Sequence, residues 1–340
     1  MIRVAMLSFW HVHARDYTRQ ALEHPETQIV AAWDEEPARG RAKAEELGIR
    51  FYDDLNELLN QTDIDAVIVD TPTNIHHDVM IAAAKAGKHI FTEKVIATTL
   101  RECNEIIAAI EQAGVKLTVS LPRLNAGYTQ AIREIMRQKQ LGEATLVRVR
   151  LSHNGAIATA DNPNGWLPPH FFNAEQCGGG AMIDLGCHPM YLTRLFLGLP
   201  ESVSATYGHI TGREVEDNAL VTLRYPNGAI GVVEAGFVNR FSPFTIEAHG
   251  TEGSLFYGTP EAQLIIRSTQ PGTPGSDRWH TISQLPAELP SAFQQWVGHI
   301  QQGTTATENI QTAIELTMLM EAANISAHSN QPVRLDSLQR

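Results

Sequence analysis

The stretch that decides the fold runs from residue 66 to residue 92, AVIVDTPTNIHHDVMIAAAKAGKHIFT. A short apolar run at 66–70 is followed by an amphipathic segment at 75–86 and by a second apolar run at 88–92. Gly87 falls where a helix closes on a left-handed residue. A strand, a helix and a strand of these lengths predict a right-handed crossover joining two parallel strands buried on both faces. Working outward, the same alternation predicts strands over 2–7, 28–33 and 115–119. Helices are predicted over 14–23, 37–47 and 100–113, with Pro37 suited to helix entry and Gly114 to a helix end. The fold class is therefore α/β, with a doubly wound domain over residues 1–120.

Beyond residue 120 the pattern changes. A helix is predicted over 126–139 and a strand over 145–153. An irregular stretch at 154–176 then carries Trp166 and three prolines. The run Gly178-Gly179-Gly180 precedes a helix reaching residue 197. Several strands follow between 202 and 266, two of them joined at Pro226-Asn227-Gly228, a hairpin signal. Residues 286–329 read as helical and able to pack back on the first domain. The second domain, 121–340, is thus expected to be α+β with a large open, mostly antiparallel sheet.

Composition narrows the partners. The 340 residues carry 38 acidic and 26 basic side chains, a net charge of -12. That balance disfavours nucleic acid and anionic membranes and favours a small-molecule substrate. No run approaches the roughly 18 apolar residues of a membrane span. Without an export signal, and with Cys103, Cys177 and Cys187 forming no CxxC pair, a cytoplasmic location is expected.

The turn after the first strand should carry a glycine-rich phosphate loop. Ser8, Trp10 and His13 stand at the three glycine positions instead, with Phe9 and His11 between them. Helix N-terminal N–H groups can still meet an anion, and His13 could add a donor; packing alone is the competing reading. Asp34, at the end of the second strand, is placed to take the ribose hydroxyls, with helix capping as the alternative. An acid there with no arginine beside it favours NAD over NADP.

Three segments resemble the family of glucose–fructose oxidoreductase, inositol dehydrogenase and the rhizopine-catabolism oxidoreductases. They are Thr71-Pro72-Thr73-Asn74-Ile75-His76, Ala86-Gly87-Lys88-His89-Ile90-Phe91-Thr92-Glu93-Lys94, and Gly178-Gly179-Gly180-Ala181-Met182-Ile183-Asp184-Leu185-Gly186-Cys187-His188. In register they match TPxxxH, AGKHVxxEK and GGGxxxDxGxH over essentially the whole chain. The resemblance implies a Rossmann domain and an NAD(P)-dependent oxidoreductase acting on CH–OH groups of a sugar, inositol or related polyol. It implies Lys94, Asp184 and His188 as the catalytic set, with Lys94 steadying charge on the substrate oxygen and His188 taking the hydroxyl proton. Thr71, Pro72, Asn74, His76, Glu93 and Lys94 join Ser8, Phe9, Trp10, His11, His13 and Asp34 as cofactor contacts. Arg123 and Trp166 join Lys94, Asp184 and His188 as substrate contacts. Two positions depart from the pattern. Val95 stands where the family has proline, and Tyr191 stands where it often has an acid.

No metal is expected. Of His11, His13, His76 and His77, none has an acid or cysteine at a ligand-like spacing. Two other readings compete with the dehydrogenase: a glycosidase using held NAD, and a non-catalytic nucleotide or sugar sensor. An open sheet face makes a homo-oligomer, dimer or tetramer, the expected assembly.

Overall fold

A computed structural model describes residues 1–273, 276 and 278–339. The chain divides into two compact units, residues 1–122 with 290–317 and residues 123–289 with 318–339.

In the first unit, strands β1 (Ile2–Leu7), β2 (Thr27–Trp33), β3 (Arg50–Phe51), β4 (Ala66–Val69), β5 (His89–Thr92) and β6 (Leu117–Val119) form one parallel sheet. Its order is β3-β2-β1-β4-β5-β6, the order of dinucleotide-binding sheets, with the direction of winding reversing between β1 and β4. Helices α1 (Ala14–Glu23), α2 (Pro37–Leu47), α3 (Leu55–Leu59), α4 (His76–Lys85) and α5 (Leu100–Ala113) make the connections. The Thr99 side chain caps α5 by accepting from Glu102 N–H, and Gly114 closes it at φ +67°. Every residue of β4 is buried, as a strand covered on both faces requires. The Lys94–Val95 peptide bond is cis although Val95 is not proline.

The second unit begins with α6 (Gly127–Arg137) and β7 (Ala144–Ser152). An irregular segment leads through α7 (Ala174–Cys177) to α8 (Cys187–Leu197). Strands β8 (Ser202–Gly208), β9 (Asn218–Arg224), β10 (Ile230–Gly236), β11 (Thr245–Gly250), β12 (Gly253–Gly258), β13 (Gln263–Ser268) and β14 (His280–Ile282) follow. With β15 (Val333–Arg334) they form a sheet in the order β14-β13-β12-β11-β7-β10-β9-β8-β15. Among the described residues its pairs are antiparallel except β7 with β10, which bears out the mostly antiparallel sheet read from the sequence. In β9 buried and exposed positions alternate, so Ala219, Val221 and Leu223 face the core. Helix α8 packs on β7 and β10.

Two helices near the C-terminus complete the chain, α9 (Ala292–Gln302) and α10 (Thr307–Ser329). Phe293 and Trp296 of α9 enter the core of the first unit beside Phe91 and Tyr17. Burial of two aromatic side chains on one helical face draws this segment to the parallel sheet.

Candidate active site

The loop after β1 is held from within. Ser8 takes φ +78°, the left-handed conformation that favours glycine. Ser8 N–H donates to the Trp33 carbonyl (2.7 Å) and Phe9 N–H to Asp34 Oδ2 (2.9 Å). Trp10 N–H donates to Ser8 Oγ (3.1 Å), His11 N–H to the Asp70 carbonyl (3.2 Å) and His13 N–H to His11 Nδ1 (3.2 Å). These N–H groups cannot turn to a pyrophosphate without breaking an internal bond. Trp10 is 6% exposed and His11 7%, whereas His13 is half-buried.

Topology still fits a dinucleotide. Its crevice opens where winding reverses, outside β1 and β4. Thr71 Oγ1, at that end of β4, is buried with no hydrogen-bond partner among the described residues. Pro72 beside it is buried and Asn74 is exposed.

At Asp34 the premise that no arginine stands beside it is corrected. Its Oδ2 accepts from Phe9 N–H and Arg39 Nε (3.0 Å), and its Oδ1 from Glu36 N–H (2.8 Å) and Arg39 Nη2 (2.6 Å). An arginine therefore does stand beside this acid, five residues along, and Glu35 Oε1 accepts from it too. The side chain of Asp34 is wholly buried and that of Arg39 28% exposed, so the basic group faces outward.

His76 is buried with Nδ1 3.0 Å from the Val95 carbonyl and Nε2 3.1 Å from the Thr71 carbonyl. Both ring nitrogens thus lie on backbone, and the ring clamps the two loops that flank the crevice. Burial lowers its pKa despite carbonyls and Glu93 that favour the cation. His77 is on the surface with Asp78 and Glu105.

Folding supplies the acid that local spacing lacked. Glu93, 80 residues from His13, puts Oε1 2.7 Å from His13 Nδ1 and 3.7 Å from His11 Nδ1. Its Oε2 accepts from the Tyr17 hydroxyl (2.6 Å), which in turn lies 2.7 Å from Ser120 Oγ. Burial alone would raise the Glu93 carboxyl, but His13, His11 and Lys94 outweigh it and hold the group below the usual carboxylate range. Lys94 is 5% exposed and directly follows Glu93 at the carboxyl end of β5.

In the second unit, Asp184 lies in a π-helical turn, Met182–Gly186, that runs into α8. The regular helix expected over both residues is widened there, and such turns recur at functional sites. Glu216 anchors the turn: its two carboxylate oxygens accept from Gly180 N–H and Met182 N–H, each at 2.8 Å. The glycine run is needed for that approach, because a side chain on Gly180 would run into the Glu216 carbonyl. Burial raises the Glu216 pKa while these N–H groups act to lower it.

His188 is 7% exposed, with Nδ1 3.0 Å from Tyr191 Oη. Tyr191 is fully buried and also accepts from Arg123 N–H (3.1 Å). The tyrosine at the departing position thus supports the imidazole. When Nδ1–H donates to the phenol, Nε2 is left as the base. The Arg123 guanidinium donates to the Tyr128 hydroxyl (3.0 Å) and stands 4.1 Å from the Phe244 ring centre.

His153, which the sequence reading passed over as a strand end, stacks on Phe237 (5.2 Å, 11°) and lies 4.6 Å from the Trp166 ring. Trp166 is 55% exposed and donates from Nε1 to Asn154 Oδ1 (3.4 Å). Burial lowers the His153 pKa and the Asp184 carboxylate opposes it, so the two side chains share one neighbourhood.

Two family models match. "Oxidoreductase family, NAD-binding Rossmann fold" covers residues 3–121, and "GFO/IDH/MocA C-terminal domain" covers 129–256. The chain belongs to the Gfo/Idh/MocA oxidoreductase family. This oxidoreductase is 31% identical over 326 residues to a D-xylose 1-dehydrogenase (NADP(+)) of Haloferax volcanii, spanning 93% of this chain and 94% of that one. It is 30% identical over 333 residues to a scyllo-inositol 2-dehydrogenase (NAD(+)) of Bacillus subtilis, spanning 92% and 90%. Its fold matches the aldose-aldose oxidoreductase of Caulobacter crescentus with TM-score 0.79 at 21% identity, covering 98% of this chain and 99% of that one. Among the described residues no helix is long and apolar enough to cross a membrane.

Proposed function

We propose that this protein is an NAD(P)-dependent dehydrogenase that moves hydride between the nicotinamide and a secondary hydroxyl or ketone of a sugar, inositol or related polyol. The observation that carries the reading is the supported imidazole, His188 on Tyr191 on the Arg123 N–H. Hydride acceptance or donation is the chemistry the cofactor supplies when bound. This chain's own residues handle charge and proton. Lys94 steadies the substrate oxygen, His188 Nε2 receives the hydroxyl proton, and Asp184 orients the substrate or the ring. Trp166 and His153 offer an aromatic and polar wall to a polyol. Arg123 contributes through its backbone N–H, its guanidinium being held by Tyr128 and Phe244.

The loop at 8–13, with Thr71, Pro72 and Asn74 across the crevice, is the proposed cofactor bed. His76 braces it from beneath. Either dinucleotide is compatible with the ribose end: Asp34 is neutralised by Arg39, which is free to turn its outer face to a ribose phosphate. A cytosolic homo-oligomer accords with three buried cysteines outside any disulfide and with exposed Leu220 and Ile230 on the solvent face of β9 and β10.

The test is a screen of sugars and polyols with each dinucleotide, read as absorbance of the reduced nicotinamide. Accumulating reduced cofactor with one substrate is expected. Cofactor binding with no redox turnover, while a glycoside is cleaved, would replace this reading by the glycosidase. Binding with neither reaction would favour the sensor.

A further inference from the structure

We propose that His11, His13 and Glu93 form a binding site for a divalent transition metal, zinc in class, at the head of α1. One ring nitrogen of His11, one of His13 and a Glu93 carboxylate oxygen all lie within 4.8 Å of one another. Two zinc bonds of about 2.0–2.1 Å at a tetrahedral angle set donor atoms about 3.3 Å apart. The distances from Glu93 Oε1, 2.7 Å to His13 and 3.7 Å to His11, fall on either side of that value. Shifts of about half an ångström would bring both of these distances to that value. Two imidazoles and one carboxylate make a donor set suited to zinc with its fourth position open.

The surroundings fit a ligand set. The Tyr17 hydroxyl holds Glu93 Oε2 and is itself fixed by Ser120, which aims Oε1 at the histidines. His11 Nδ1 accepts the His13 N–H at 3.2 Å, a long bond that ligation of this nitrogen would replace. The Glu93 and His11 side chains are 2% and 7% exposed while His13 is 39% exposed, giving two deep ligands and one at the entrance.

A separate observation points the same way. Asp70 is fully buried, and neither of its carboxyl oxygens has a hydrogen-bond partner among the described residues. Its carbonyl accepts the His11 N–H, which places this buried carboxyl beside the histidine loop. A dipositive ion between the histidines and Glu93 would also return positive charge to a loop whose own N–H groups are turned inward.

The test uses full-length protein stripped with a chelator and titrated with Zn²⁺ by calorimetry, without nucleotide, so that failure leaves the dehydrogenase reading untouched. One ion per chain is expected, and Co²⁺ should give the intense visible bands of a four-coordinate site. Tyr17→Phe should weaken binding by roughly tenfold to a hundredfold, the range for a supporting partner. His11→Ala and His13→Ala should each weaken it further. His13→Ala also removes the ion pair to Glu93, so its melting temperature is recorded beside the titration to separate ligation from folding. No stoichiometric binding, or binding unchanged in both histidine variants, would reduce the cluster to a hydrogen-bonded ion pair and overturn the proposal.

Discussion

Arg39 lies across the carboxylate of Asp34, with Nη2 2.6 Å from Oδ1 and Nε 3.0 Å from Oδ2. An acid paired in this way neither repels a ribose phosphate nor offers free oxygens to ribose hydroxyls. Arg39→Ala is expected to weaken NADP roughly tenfold or more, the scale of a charge-assisted hydrogen bond, while NAD changes little or improves. Calorimetry with both dinucleotides checks this. Equal losses for the two would mean that Arg39 only braces the loop.

Glu216 governs the helix that carries Asp184 and His188 without being a reacting group. An amide has one carbonyl oxygen where the carboxylate serves Gly180 N–H and Met182 N–H separately. Glu216→Gln should therefore destabilise the protein by about 1–3 kcal/mol. It should also lower turnover, because the π-helical turn loses an anchor. A thermal melt and a rate measurement on one preparation suffice, and an unchanged melting temperature would refute the anchoring role.

His76 makes stability depend on pH. Its folded pKa is depressed, so between that value and about 6.5 the unfolded chain binds a proton that the native ring refuses. Stability is then fully present above about 6.5 and falls with pH below it, by at most about 1.4 kcal/mol per unit for this one group. His76→Gln should start less stable and show a shallower decline between neutrality and pH 5. Denaturant unfolding across that range is the measurement, and an identical slope would remove His76 from the account.

The parallel sheet was readable because each crossover carries its own signals: an apolar strand, an amphipathic helix and a glycine such as Gly114 closing it at positive φ. Asp184 and His188 were readable as a local motif. What escaped was the pairing of distant residues. Arg39 was overlooked beside Asp34 because a basic side chain on an amphipathic helix reads as solvated. Glu93 could not be joined to His11 and His13 while β5 had no known place beside β1 and β4. The support that Tyr191 gives to His188 needed side-chain directions. Its spacing of three residues was visible, but the sequence reading looked there only for an acid.

Tyr191 provides the sharpest test of the proposed chemistry. Its hydroxyl meets His188 Nδ1 at 3.0 Å and accepts the Arg123 N–H at 3.1 Å. Alcohol oxidation needs Nε2 unprotonated, which follows when Nδ1–H donates to the phenol. Tyr191→Phe removes that acceptor from a buried site and lets both the tautomer and the ring angle vary. Turnover should fall roughly tenfold to a hundredfold, with the Michaelis constant and cofactor binding little changed. His188→Ala and Lys94→Ala should each cost at least roughly a hundredfold, the scale of a proton-transfer or charge-stabilising group. Rates are compared at saturating cofactor with the substrate found in the screen. Full turnover in Tyr191→Phe would make the phenol packing alone. Near-normal turnover in both His188→Ala and Lys94→Ala would remove the proton and charge roles from this chain.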